Sequence, residues 1–360
     1  MVMQKKPVFS VVIASYQSQQ EWKAAVQSVL DQNYPNVELI FADDGSLGFD
    51  PQEIEQAIKK RKSVNLVSYR VISRKTNLGT VHNMQSACLS CSGKYLLFMA
   101  ADDALYDENV LSRFAHSLEK QPENVMGVYA RAILCHKDLS PTGCCSFDTE
   151  QAIALNALPA LDQWRMLSQR CCIHMGATAF IRERFMTFGG FDTSYRLLED
   201  WPFFLRTTES GFSFHFEAFD ALLYRRGGIS GGKAFSHGRM LCFADQLQMY
   251  ETLLLPRAQL LGRTERFFMY WRYRCDRQDV WNHYRLKSTK KISRLPGWNA
   301  ERCFFEAVWF MLYWRFPLAA FTAGVVLAYL FKTPAILGAG MLSALGIFLW
   351  KFAGKKETAR

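Results

Sequence analysis

The first hundred residues alternate between two hydrophobic patterns. Val8–Ala14 is a continuous apolar run, as in a strand buried on both faces. After it, Trp22, Ala25, Val26, Val29 and Leu30 recur at helical spacing, and Ser18 with Glu21 forms a capping-box signal ahead of them. Val37–Ala42, Leu66–Ile72 and Lys94–Met99 repeat the strand pattern. Between them, helices are predicted from Asp50-Pro51, with proline at the first helical position, and over Thr80–Ser90, closed by Gly93. This alternation predicts an α/β fold with a mostly parallel sheet, covered by helices on both faces. After Tyr129 the pattern loosens. Residues 137–170 read as an insertion with a helix near Leu161–Gln169, Phe212–Tyr224 is strand-like, and Ser236 to Tyr284 reads as helical.

In parallel α/β sheets ligands bind beyond the carboxyl ends of the strands. Two predicted strands end there in paired aspartates, Asp43-Asp44 and Asp102-Asp103. The first pair also suits an ordinary turn with Gly45 and Ser46; as a site it would accept hydrogen bonds from a base or ribose. Adjacent carboxylates repel, so Asp102-Asp103 suits a divalent cation, although the same residues also fit an N-cap for a helix over Leu105–Ser117. A third acidic pair, Glu199-Asp200, opens a predicted helix beside Trp201. There a carboxylate could take a proton from an attacking hydroxyl, and Trp201 could offer a sugar a stacking face or fill the core.

In their order, Val11 to Tyr16, Val37 to Ser46, Asn77-Leu78-Gly79, Gly93 through Asp103, Gly189 to Asp192 and Glu199-Asp200-Trp201 resemble family 2 glycosyltransferases of the GT-A fold over roughly residues 7–230. The resemblance implies an inverting transferase that uses a nucleoside-diphosphate sugar and Mn²⁺ or Mg²⁺. It implies that Ala14, Tyr16 and Asp44 line the nucleoside pocket, that Asp102 is the metal ligand and that Asp200 is the base. Glu199 and Trp201 would then serve the acceptor. The family pattern is incomplete: Ala100 replaces the first carboxylate of the usual Asp-x-Asp, which gives Asp103 a compensating role. Gly227-Gly228 stand where many relatives carry a histidine, leaving Arg225 or Arg226 to hold phosphate. A nucleotidyltransferase is the alternative, but Ala14 to Ser18 contains no glycine to grip a triphosphate.

Composition changes the picture mainly at the end of the chain. The net charge is +10, and Arg257 to Arg302 holds twelve Lys/Arg against four Asp/Glu. That balance suits anionic lipid. A non-catalytic nucleic-acid or membrane binder would leave the acidic pairs unexplained, so no nucleic-acid partner is expected. Phe316–Phe331 and Pro334–Trp350 are uncharged apolar runs bounded by Arg315 and Lys351, the pattern of a membrane hairpin with both ends on the cytoplasmic side. The expected organisation is a catalytic domain over 1–235, with a nucleotide half to about 105 and an acceptor half after it. A basic helical region over 236–303 and membrane-associated helices over 304–360 follow. The acceptor expected is a glycan or lipid-linked molecule at the cytoplasmic face of the inner membrane. Aromatic residues make up 14% of the chain, a content that fits a membrane interface or a sugar-binding surface. The ten cysteines include one lone Cys88-x-x-Cys91 and no zinc spacing; with no secretory signal at the start, they are expected to be reduced and mostly buried.

Overall fold

The computed structural model describes residues 8–18, 20–61, 63–225 and 237–288. Arg226 and the apolar runs of the tail lie outside the described residues. The described residues belong to one compact unit that ends at Ser288.

Four strands, β1 (Phe9–Ser15), β2 (Val37–Asp43), β3 (Leu66–Ser73) and β4 (Tyr95–Ala100), form the parallel half of the sheet in the order β3-β2-β1-β4. Successive residues of β1 feed two separate cores: Val12 joins one, and Phe9, Val11 and Ile13 join the other. That is why its sequence is apolar without alternation. Helices α1 (Trp22–Leu30), α2 (Pro51–Arg61) and α3 (Thr80–Cys88) make the crossovers.

The second half departs from the expected parallel arrangement. Beyond β4 the sheet continues through β8 (Thr178–Ile181), β6 (Val125–Cys135), β9 (Ser213–Arg225) and β5 (Ala104–Leu105), with β7 (Pro141–Cys145) on the side of β6. β8 runs antiparallel to β4 and β6, β5 antiparallel to β9 and β7 antiparallel to β6, while β6 and β9 are parallel. The sheet is therefore mixed. β5 leads into β6 through α4 (Val110–Leu118) and β8 into β9 through α7 (Arg182–Thr187) and α8 (Asp200–Glu209), whereas β4 to β5 and β6 to β7 are joined without a helix.

Three local expectations also fall. Ala104–Leu105 is a strand, and the helix after it, α4, starts only at Val110. Asp102-Asp103 is thus not a helix cap. At α1 the capping box does not form: the N-cap is Glu21, whose side chain makes no capping bond, and the buried Ser18 hydroxyl has no partner among the described residues. Finally, 137–170 is no appended insertion. Besides β7 it contains α5 (Thr149–Asn156) and α6 (Ala160–Gln169), whose Leu155, Trp164 and Leu167 are fully buried in the first core.

The phenylalanine content has a structural use. Phe203, on α8 (Asp200–Glu209), lies 4.9 Å from Phe185, 5.5 Å from Phe191 and 5.6 Å from Phe180, centroid to centroid. Phe98 of β4 stacks edge-on against Phe191 at 5.0 Å. The aromatic share that suggested an interface thus also fills the core beneath α8. Tilted and edge-to-face pairs of this kind add about 0.5–1.5 kcal/mol each beyond area burial. They fix the helix whose first residue is Asp200.

Candidate active site

The carboxyl ends of β1, β2 and β4 converge, as the sequence predicts. Ser15 pairs with Asp43 and Ala14 with Ala100 across the neighbouring strands. Ala14, next to last in β1, is partly buried, and Tyr16 just beyond the strand is 46% exposed, leaving an aromatic face open at the strand end.

The two aspartates after β2 have different surroundings. Asp43 is fully buried and accepts from the Ser46 N–H at 2.8 Å and the Ser46 hydroxyl at 2.5 Å, which shapes the turn. Asp44 accepts from the Leu78 N–H at 3.0 Å and the Gly79 N–H at 2.8 Å, one on each carboxylate oxygen. Burial is the main cause raising its pKa, and those two N–H groups with Arg74 and Arg196 oppose the shift. This explains the Asn77-Leu78-Gly79 motif. It is a backbone clamp on Asp44, and its glycine adopts φ +100° with its Cα against the Arg196 carbonyl, where a Cβ would come within 2.4 Å.

Asp102 and Asp103 diverge. Asp102 remains partly exposed, and no ion pair or hydrogen bond from another side chain ties its carboxylate among the described residues. Asp103 is 3% exposed and accepts from the Arg225 N–H at 2.9 Å. Burial first, and the Asp102 charge second, push its pKa well up. The compensating role expected of Asp103 therefore has no opening to the surface; its place is as a buried anchor for β9. Arg225 closes the corner, with Nε donating to the Asp102 carbonyl at 2.7 Å. Its terminal guanidinium nitrogens have no protein acceptor among the described residues. No group of three or more potential ligands gathers for a metal among the described residues. A single open carboxylate still suits Mg²⁺ or Mn²⁺, which bind through one or two carboxylates plus substrate phosphates and waters.

Glu199 and Asp200 sit at the start of α8, both partly buried. Asp200 accepts from the Trp201 N–H at 2.6 Å. Burial raises the pKa of both acids, and the Asp200 charge is the second cause at Glu199, which is pushed up to about 8. Burial and mutual repulsion thus favour a proton on this pair at neutral pH. Trp201 packs against the core and donates Nε1–H to the Leu167 carbonyl at 2.7 Å, with Tyr250 edge-on at 6.5 Å. These contacts engage much of the face expected for a sugar.

The raised Glu199 pKa links stability to pH. The folded protein keeps that proton to about 8, whereas the unfolded chain releases it near the ordinary value of 4.5. Its contribution is fully present below the lower value and is lost as pH rises through the upper one. The melting temperature should therefore fall between pH 5 and pH 8.5 more steeply in the wild type than in Glu199→Gln. Equal slopes in a pH series of thermal melts would remove Glu199 as the cause.

Sequence reading missed Asp245, on α9 (His237–Met249). Its carboxylate is 7% exposed and holds the loop that leads into Glu199. An isolated aspartate on a weakly patterned helix carries no sequence signal.

Residues 10–169 match the family model described as glycosyl transferase family 2. That stretch of the chain is similar to a family 2 glycosyltransferase domain. An uncharacterised glycosyltransferase of Haemophilus influenzae is 29% identical over 133 residues, 37% of this chain and 39% of that protein. A PGL/p-HBAD biosynthesis glycosyltransferase of Mycobacterium bovis is 27% identical over 201 residues, 56% of this chain and 69% of its own length. The chain thus spans about two fifths of the first relative and about two thirds of the second. Among solved structures, a Pyrobaculum calidifontis mannosyltransferase in complex with GDP-Man and Mn²⁺ superposes with a TM-score of 0.53 at 13% identity, covering 96% of this chain and 88% of the other. S. aureus TarS 1–349 in complex with UDP gives 0.51 at 13% identity, covering 81% and 94%. At such identities the likeness is one of fold, and this chain has a GT-A-like α/β fold with a mixed sheet. Glu199 and Asp200 lie beyond the residues matched by the family model.

Proposed function

We propose that the protein is an inverting glycosyltransferase that moves a sugar from a nucleoside diphosphate onto a glycan or lipid-linked acceptor at the cytoplasmic face of a membrane. The observation that carries this reading is the division of labour among the acidic pairs. One pair is clamped at the end of β2, one leaves a single carboxylate open at the end of β4, and the third heads helix α8.

Tyr16 presents an open ring to a base, Ala14 leaves room beside it, and Asp44 holds the wall of that pocket through Leu78 and Gly79. Asp102 would hold a divalent ion with the donor diphosphate, and the terminal nitrogens of Arg225 would hold phosphate oxygens. Arg226, the neighbouring candidate, lies outside the described residues. Such an ion, when bound, neutralises charge that develops on the leaving diphosphate. Asp200 takes the acceptor hydroxyl proton as that oxygen attacks the anomeric carbon, and the bond from that carbon to the diphosphate breaks. Glu199, when it holds the proton of the pair, is suited to donate a hydrogen bond to the acceptor, and Trp201 supports the pair from below. The donor reading is supported by the neighbours solved with UDP and with GDP-Man and Mn²⁺.

The membrane reading rests on the apolar runs of the tail and on one described helix. No helix among the described residues is long and apolar enough to cross a membrane. Helix α10 (Arg263–Ser288) carries an exposed stripe of Arg263, Phe267, Tyr270, Arg274 and Arg277, spaced alternately four and three residues apart. Aromatic rings flanked by arginines on one helical face suit a bilayer interface rich in anionic lipid.

A hydrolysis screen of the purified full chain against UDP- and GDP-sugars, with and without Mn²⁺, tests the catalytic reading. Release of nucleoside diphosphate from one donor, dependent on Mn²⁺, is expected; no release from any donor with added acceptor lipid would count against it. Removing residues 316–360 should preserve that hydrolysis and abolish retention in the pellet after carbonate extraction. A truncated protein that pellets as fully as the intact one would show that the tail is not the anchor.

A further inference from the structure

The segment from Arg196 to Glu199 belongs to neither helix nor strand, yet it leads directly into Asp200 at the start of α8. Its own backbone therefore cannot fix it, and the bonds that do so come from elsewhere. Gln248 of α9 donates to the Ser194 hydroxyl at 2.9 Å, and the Tyr195 hydroxyl pairs with Thr252 at 2.9 Å. Asp245 lies on the same face, three residues before Gln248. Its Oδ2 accepts from the N–H groups of Arg196 at 3.0 Å, Leu197 at 2.6 Å and Leu198 at 3.0 Å. Three successive amides converging on one oxygen form an anion-binding concavity, and here a carboxylate of the protein itself fills it. On the other side of the segment, the Arg196 carbonyl accepts from the Val81 N–H at 3.2 Å, and its guanidinium donates to the Asn77 side chain at 2.8 Å.

We propose that Asp245 is a positioning residue for the transfer reaction, holding the 196–198 backbone so that Glu199 and Asp200 meet the acceptor in reactive geometry. This rests on the reading of Asp200 as the base. Three amides locked to one buried carboxylate set the direction in which the chain enters α8. A carboxylate is needed because a neutral group accepts three hydrogen bonds on one oxygen poorly, and removing it leaves buried N–H groups unpaired. A displacement of about 1 Å at a reacting group costs on the order of 10²-fold in rate. Asp245 does not touch the Asp44 clamp of Leu78 and Gly79, and Arg196 keeps its own bonds to Val81 and Asn77 when Asp245 is removed, so the nucleotide pocket should stay intact.

The test uses the full chain with the nucleotide sugar that the hydrolysis screen selects. Asp245→Ala should lower kcat by about 10²-fold, with the affinity for UDP or GDP in the presence of Mn²⁺ unchanged by calorimetry. Asp245→Asn keeps a carbonyl oxygen for the nest but not the charge, and should recover only part of the rate. In the Asp200→Asn background, Asp245→Ala should cost almost nothing further, because its effect passes through that side chain. Full-rate Asp245→Ala beside a slow Asp200→Asn would overturn the positioning role alone. Equal losses of nucleotide affinity and rate, or losses that simply add to those of Asp200→Asn, would overturn it as well, by making Asp245 a general structural contact. A full-rate Asp200→Asn enzyme would overturn the base assignment and this inference with it.

Discussion

Asp102→Asn is expected to lower turnover by on the order of 10³-fold, with the melting temperature nearly unchanged. Among the described residues no ion pair or other side chain ties the Asp102 carboxylate, so its loss removes no contact that holds the fold. What disappears is charge where the donor diphosphate is expected. Because Asp103 is turned inward onto the Arg225 N–H, it cannot take over. Mn²⁺ binding followed by electron paramagnetic resonance with UDP or GDP present gives a second readout. A variant that binds Mn²⁺ as tightly as the wild type, or works at full rate, would remove Asp102 from the metal site. Asp103→Ala should do the opposite. Its buried bond to β9 makes loss of stability the leading effect.

The second large effect is expected at Asp200. Asp200→Asn should slow transfer by about 10²–10⁴-fold, the usual contribution of a general base. Nucleotide affinity should survive, because Asp200 lies on α8 while the nucleotide pocket proposed above lies at the ends of β1 and β2. Burial has raised the Asp200 pKa, which brings a carboxylate closer to the range in which it accepts protons well. A calorimetric titration showing lost donor affinity would instead make Asp200 part of the donor site.

The legible part of the fold was the part with strong periodicity. β1, β2 and β4 are buried on both faces, so their apolar runs stand out, and their ends were placed to within a residue or two. The converging acidic pairs followed from those ends. The antiparallel half was obscured because β5 has only two residues and β7 is mostly exposed, so neither has a hydrophobic pattern. Adjacent in sequence, Asp102 and Asp103 were read as one feature, since only the pairing of β5 with β9 decides that one faces out and the other in. Trp201 was open between stacking face and core filler, and the bond from its indole to Leu167 favours the second. Asp245 had no signal because its partners are backbone amides about fifty residues earlier.

The parallel and antiparallel halves of the sheet meet along a narrow seam. β4 and β8 pair only through Tyr95–Ile181, Leu96–Phe180 and Leu97–Ala179. The two hydrophobic cores nevertheless run across it, with Phe98 against Phe180 and Phe191 and the Leu105 N–H donating to the Ser28 hydroxyl. A chimaera cut between β4 and β5 must therefore match core side chains as well as three strand pairs. It must also preserve the docking of Gly79 and Asn77 against Arg196, where the two halves touch again.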